Sequence, residues 1–166
     1  MKKLVALAVL IGFAVPLFGA DNHWLQEYLK RWNKSKEFTV AVAEKMPADG
    51  YSSMPNPEEM DFGKLITHIA QANSYFMSCI TGKKMTPAKP ASMDKAAIVK
   101  FLGDSFDWSA KQIGTLTDLD KMVKCENQDM SVREALLAAF THIAHHRGQA
   151  EVYLRFKNIK PPDYMF

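Results

Sequence analysis

The prolines place the tightest limit on what this chain can fold into. There are eight, and every one after Pro16 falls within residues 47–57, within residues 87–90, or in the pair Pro161-Pro162. Proline lacks an N–H donor and its ring clashes with the preceding helical turn, so these places exclude helix while the long stretches between them permit it. In those stretches apolar residues recur every three or four positions, the period of a helix with one buried face.

Four helices are expected. The first covers about residues 22–45, with Trp24, Leu25, Tyr28, Leu29 and Trp32 at helical spacing and Pro47 behind it. Residues 47–59 (PADGYSSMPNPEE) form a long ordered loop. The second helix opens at Asp61, a residue whose carboxylate can cap free N–H groups, and carries Phe62, Leu65, Ile66, Ile69, Phe76 and Ile80 as far as Gly82. Residues 83–91 are another loop. Ser92 is expected to cap a third helix bearing Ile98, Phe101, Leu102, Ile113 and Leu116, and residues 117–130 read as a polar connector without a strand. The fourth start is the clearest: Ser131 and Glu134 make a capping box, in which hydroxyl and carboxylate satisfy each other's backbone donors. This helix runs to about Lys157 with Leu136, Phe140, Ile143 and Leu154 inward. Asn158 can then adopt the left-handed conformation, and Pro161-Pro162 stops the chain from continuing. Gly148 in mid-helix costs about 1 kcal/mol against alanine and suggests a close helix approach. The expected fold is all-α, a four-helix bundle in one domain, with no internal repeat.

The first twenty residues, MKKLVALAVLIGFAVPLFGA, have two lysines, an apolar run and a final Gly-Ala, the layout of a secretory signal peptide. Cleavage is expected after Ala20, although Phe18 is bulky for the third position before a cut; an uncleaved anchor or an apolar first helix is the alternative. The apolar run is short for a membrane span, which needs roughly 20 residues, and no second run of that length follows. The expectation is therefore an exported protein, periplasmic or extracellular, with its domain over residues 21–166. The formal charge of +3 includes Lys2 and Lys3; without them the balance is +1, and no basic run exceeds Lys83-Lys84. That charge pattern excludes the electrostatic footprint of a nucleic-acid binder. Two cysteines exclude a disulfide-dense scaffold and a four-cysteine zinc site.

Chemistry concentrates in His142-Ile143-Ala144-His145-His146. On a helix, His142 and His146 stand one turn apart on one face, about 6 Å between Cβ atoms, which suits two imidazoles on one divalent ion. His145 points away from that line and is the weaker ligand. His68, at the border of the second helix's apolar stripe, can supply a third imidazole from across the bundle. The chain lacks H-E-x-x-H, E-x-x-H and C-x-x-C-H, which removes zincin, di-iron carboxylate and covalent haem sites. Two readings remain open on spacing alone: a single-metal, three-histidine site, or histidines hydrogen-bonded at the edge of a structural bundle. Gln149 and Tyr153 share the ligand face and could orient a ligand or water, or serve as buried polar packing. Arg147 lies about 100° off that face, where an ion pair or a hydrogen bond to loop carbonyls is expected.

The segment H-x-x-x-H-R-G-Q, here His142 and His146-Arg147-Gly148-Gln149, followed by Tyr153-Leu154-Arg155 and Pro161-Pro162, resembles the C-terminal helix of the DinB-like (damage-inducible) family. Lys45-Met46-Pro47, Tyr51, Pro55 and the run from Phe62 to Ala70 around His68 resemble its loop and second helix. The likeness extends over about residues 24–166. It implies an up-down-down-up four-helix bundle and one divalent ion, often nickel or zinc, on His68, His142 and His146. It also implies a metal-dependent hydrolase or a thiol-dependent transferase acting on a small molecule, with a non-catalytic metal- or ligand-binding stress-response protein as the alternative, and a homodimer as a possible assembly. Asn158 stands where the family commonly has glycine, and an export signal is unusual for it. If that topology holds with the histidines level, Cys79 and Cys125 come level too, roughly 16 Å from the metal. A disulfide is then open to them in an oxidising compartment, and ligation by either is disfavoured.

Overall fold

The computed structural model describes residues 18–165. The expected signal segment lies outside the described residues except for its last three, whose backbone opens the first helix. Helix α1 spans Phe18–Lys45, α2 Phe62–Thr81, α3 Lys95–Ile113 and α4 Val132–Phe156. Two short strands, β1 over Met122–Cys125 and β2 over Gln128–Ser131, precede α4. Among the described residues no helix is long and apolar enough to cross a membrane.

Local chemistry sets the helix ends. Asp61 caps α2 by accepting from the Lys64 N–H at 2.8 Å, and Gly82 ends it at φ 73°. Ser131 caps α4 by accepting from the Glu134 N–H at 3.1 Å. Asn158 has φ 58°, the left-handed turn expected of it. The cap of α3 corrects the sequence reading: it is Asp94, whose carboxylate accepts from the Ala97 N–H at 2.9 Å. Ser92 donates its hydroxyl to that same carboxylate. A charged acceptor holds an orphan N–H more strongly than a hydroxyl does, and Asp94 has the extended backbone a cap requires. The proline-bearing loop after α1 is ordered as expected, but it includes a single 3-10 turn over Ala48–Ser52.

The four apolar stripes meet in one core containing Trp32, Phe38, Phe62, Phe106 and Ile143. Helix α1 ties to α3 through the Trp32 indole N–H on the Phe106 carbonyl (3.1 Å) and Lys36 on Asp107 (2.6 Å). It ties to α4 through the Tyr28 hydroxyl on the Leu136 carbonyl (2.6 Å). Helix α2 meets α3 where the Asn73 amide donates to Ser105 Oγ at 3.2 Å, and meets α4 where Phe62 packs on Tyr153 with ring centroids 6.1 Å apart. At Gly148 an added Cβ meets nothing within 4 Å. The close helix approach suggested by that glycine is therefore absent among the described residues.

The stretch read as a connector over residues 117–130 forms, together with Ser131, an antiparallel hairpin pairing Met122 with Ser131 and Cys125 with Gln128. Its turn residues Glu126 and Asn127 both have positive φ, 50° and 63°, the backbone that matches the twist of a two-residue hairpin. A lone hairpin is marginal in water, and this one is anchored. Cys125 is disulfide-bonded to Cys79 of α2, the Glu126 N–H donates to the Tyr75 hydroxyl at 2.9 Å, and the Arg133 N–H donates to the Leu119 carbonyl at 2.9 Å.

The disulfide closes a loop with a sequence separation of 46, which removes freedom from the unfolded chain. Replacing both cysteines by alanine should lower the unfolding free energy by about 2–4 kcal/mol in urea titrations. Thiol titration of the denatured, unreduced protein should find no free cysteine; two free thiols would contradict the bond.

Candidate metal centre

His68 reaches the site from α2, and His142 and His146 from successive turns of α4. The two helices pack together, so the three half-buried imidazoles converge, with one nitrogen of each within 4.8 Å of the others. Their ring centroids stand 4.4 Å apart for His142 and His146, 4.7 Å for His68 and His146, and 4.9 Å for His68 and His142. The Nε2 atoms of His68 and His142 are 3.1 Å apart. Two imidazole nitrogens on a tetrahedral ion, each at roughly 2.0–2.1 Å, stand about 3.3 Å from each other. The spacing therefore fits two ligands of one ion as well as it fits a hydrogen bond.

Gln149, one turn beyond His146, has its Oε1 2.7 Å from His146 Nδ1. An amide oxygen only accepts, so Nδ1 carries the proton and Nε2 keeps its lone pair, a fixed tautomer of the kind metal ligands use. His142 Nδ1 is buried with no hydrogen-bond partner, which places unspent polar capacity inside the cluster. The Phe76 ring packs against His142 with centroids 6.1 Å apart; the α2 stripe marked it as core, and nothing in the spacing marked it as a wall of the site. His145 is exposed, its ring edge-on to His146 at 4.7 Å, and stands outside the ligand group. The Tyr153 hydroxyl donates to the Met60 carbonyl at 2.7 Å, toward the loop before α2. Arg147 turns to α1, where Nη1 donates to Ser35 Oγ at 3.0 Å.

Burial pulls the pKa of His142 down to about 4, helped by the neighbouring charges His146, His68 and His145 would carry. His146 is lowered for the same first reason, with the Gln149 hydrogen bond working against it. Both rings are thus held neutral, the form that binds a metal. Three imidazoles from two helices, with no carboxylate in the group among the described residues, are compatible with one divalent ion and leave a coordination position open to a small ligand.

The fold and this cluster define a mostly helical protein with a three-histidine group compatible with metal binding. Residues 20–162 match the model of the DinB family, and the chain belongs to that family. In shape it is similar to a DinB-like protein of Bacillus cereus, with a TM-score of 0.74 at 21% identity, covering 84% of this chain and 96% of that one. A DinB-like protein of Bacillus subtilis is similar at a TM-score of 0.69 and 21% identity, covering 84% and 97%. No protein with curated annotation matches the sequence.

Two outcomes test this geometry. In the metal-free protein the His142 ring should titrate near pH 4, and His146 below the ordinary 6.5, in an NMR titration of the imidazole protons. Because the folded values lie below the unfolded one, the unfolded chain binds more protons in this window. Stability of the metal-free protein should therefore fall as pH drops from about 6.5 toward 4. Gln149→Ala, which frees the His146 ring, should weaken metal affinity by about 10–100-fold in competition titrations with a chromophoric chelator.

Proposed function

We propose that this DinB family member is an exported metal-dependent enzyme, a hydrolase or a thiol-dependent transferase, that works on a small molecule at His68, His142 and His146. The observation that carries the reading is the convergence of three imidazoles on one point, within 4.8 Å, with His142 and His146 disfavouring protons. A nickel or zinc ion bound there supplies a Lewis acid with room to activate a water or a thiol. The chain's own residues hold and aim that centre. His68 contributes from the opposing helix, Gln149 fixes the His146 tautomer, and Phe76 keeps water from one side of His142.

An up-down-down-up course of the helices supports this reading. Trp32 and Lys36 of α1 meet Phe106 and Asp107 of α3, while Glu44 meets Lys95, so the two numberings run oppositely. Along α2 and α4, Phe62 meets Tyr153 and Phe76 meets His142, again oppositely. Along α1 and α4, Tyr28 meets Leu136 and Ser35 meets Arg147, in the same sense. Export is supported by the signal-like residues 1–20 and by the Cys79–Cys125 disulfide, which persists in oxidising compartments. A second reading is a non-catalytic metal or ligand binder of stress response; no carboxylate stands in the histidine group among the described residues to serve as a general base beside the metal ligands.

Purified protein should carry close to one divalent ion per chain by elemental analysis. His142→Ala and His146→Ala should each remove it while leaving the helical spectrum intact; unchanged ion content overturns the site. A screen of ester and thiol substrates should find turnover that a chelator abolishes and added metal restores. Full occupancy with no metal-dependent turnover favours the non-catalytic reading.

A further inference from the structure

Away from the histidines, on the α1 side of α4, lies a half-open cavity of about 170 Å³ that Tyr164 and Met165 of the C-terminal segment help to line. A cavity of about 150 Å³ is enough to hold benzene. Its walls divide by chemistry. Arg31 and Lys34 of α1 and Arg147 of α4 supply three cations, and Phe140, Ala144 and Tyr164 supply an apolar lining. Among the described residues no acidic side chain lines it. Among the described residues Glu37 pairs with Lys34 of this wall at 2.5 Å, and Glu151, which also acts on Arg147, lies 3.6 Å from Arg155.

Arg147 is built into this wall. Its guanidinium lies 4.5 Å over the Phe38 ring, which holds the plane, and Nη1 donates to the buried Ser35 hydroxyl at 3.0 Å. A guanidinium has five N–H donors in a rigid fork, and this contact uses one. Stacked and anchored, it presents the rest of a fork whose geometry matches a carboxylate.

We propose that this cavity is a binding site for a small organic carboxylate carrying a benzene-sized apolar body. The carboxylate sits on the Arg147 fork, and the apolar body packs on Phe140 and Ala144. The assignment is independent of the metal centre, since none of its residues belongs to the histidine group.

The test is an NMR and calorimetric titration of the full oxidised chain with benzoate, beside neutral benzyl alcohol and phenyl phosphate. Benzoate should bind with shifts centred on Ala144 and Arg147, and benzyl alcohol at least about tenfold more weakly, because it cannot use the charge-assisted bonds. Arg147→Lys, which keeps the charge and loses the fork, should weaken benzoate by about tenfold. Ala144→Leu, which fills the cavity and leaves every charge in place, should do the same and guards against misfolding of the arginine variant. Equal binding of benzyl alcohol, tighter binding of phenyl phosphate, or unchanged benzoate affinity in a folded Ala144→Leu protein would each overturn the proposal.

Discussion

The seam between α2 and α4 is the contact on which the rest depends, because it alone brings His68 opposite two residues more than seventy positions away in sequence. It is fixed at three levels. At one end Tyr153 packs on Phe62 and hydrogen-bonds the Met60 carbonyl. In the middle the three imidazoles meet. At the other end, eleven residues beyond His68 or roughly 16 Å along the axis, Cys79 clamps the hairpin that leads into α4. A helix held only at its centre can slide by a turn, about 5.4 Å, and such a slide would part the imidazoles. Anchors at both ends make the register at the histidines a consequence of contacts outside the site.

Much of this was legible in the residue order, and the parts that were not have physical reasons. The helices could be read because prolines and caps bound long runs of 3.6-residue periodicity, so that α2 and α4 start within a residue of where Asp61 and Ser131 place them. The hairpin could not be read that way. Its strands are four residues each, Gln128 and Asp129 are poor strand formers, and the turn is Glu126-Asn127 with no glycine. What stabilises it lies elsewhere in the chain, in Cys79 and Tyr75. The α3 cap moved from Ser92 to Asp94 because both residues are competent and their mutual hydrogen bond joins them in one cap. At the histidines, spacing supplied His142 and His146 as a pair. The phase of the α2 stripe placed His68 opposite them, and α2–α4 packing brings it to the pair; the tautomer set by Gln149 needed atomic positions.

Burial and mutual repulsion act on the cluster in one direction. Desolvation penalises the imidazolium form, and each proton added to one ring raises the cost of the next, so the uncharged state is the one the packed helices accept. The close rings and the unpartnered His142 Nδ1 lower the stability of the metal-free protein. The arrangement makes sense where a cation compensates for it.

The charged wall on the other side of α4 follows from the same helix geometry. Phe140, Ala144 and Arg147 each stand two positions before His142, His146 and Gln149, and two residues rotate a helix by about 200°. One i, i+4, i+7 pattern, offset by two, therefore assigns opposite sides of a single helix: neutral imidazoles toward α2, and the Arg147 cation toward α1. Shifting the arginine back by one position would turn it about 100° toward the histidines. A fixed positive charge there would oppose a divalent ion through a low-dielectric interior, where Coulomb energies are several times larger than in water. Arg147 can be charged and half-buried beside a metal-competent cluster because Ser35 and Phe38 of α1 hold its head on the far side of the helix.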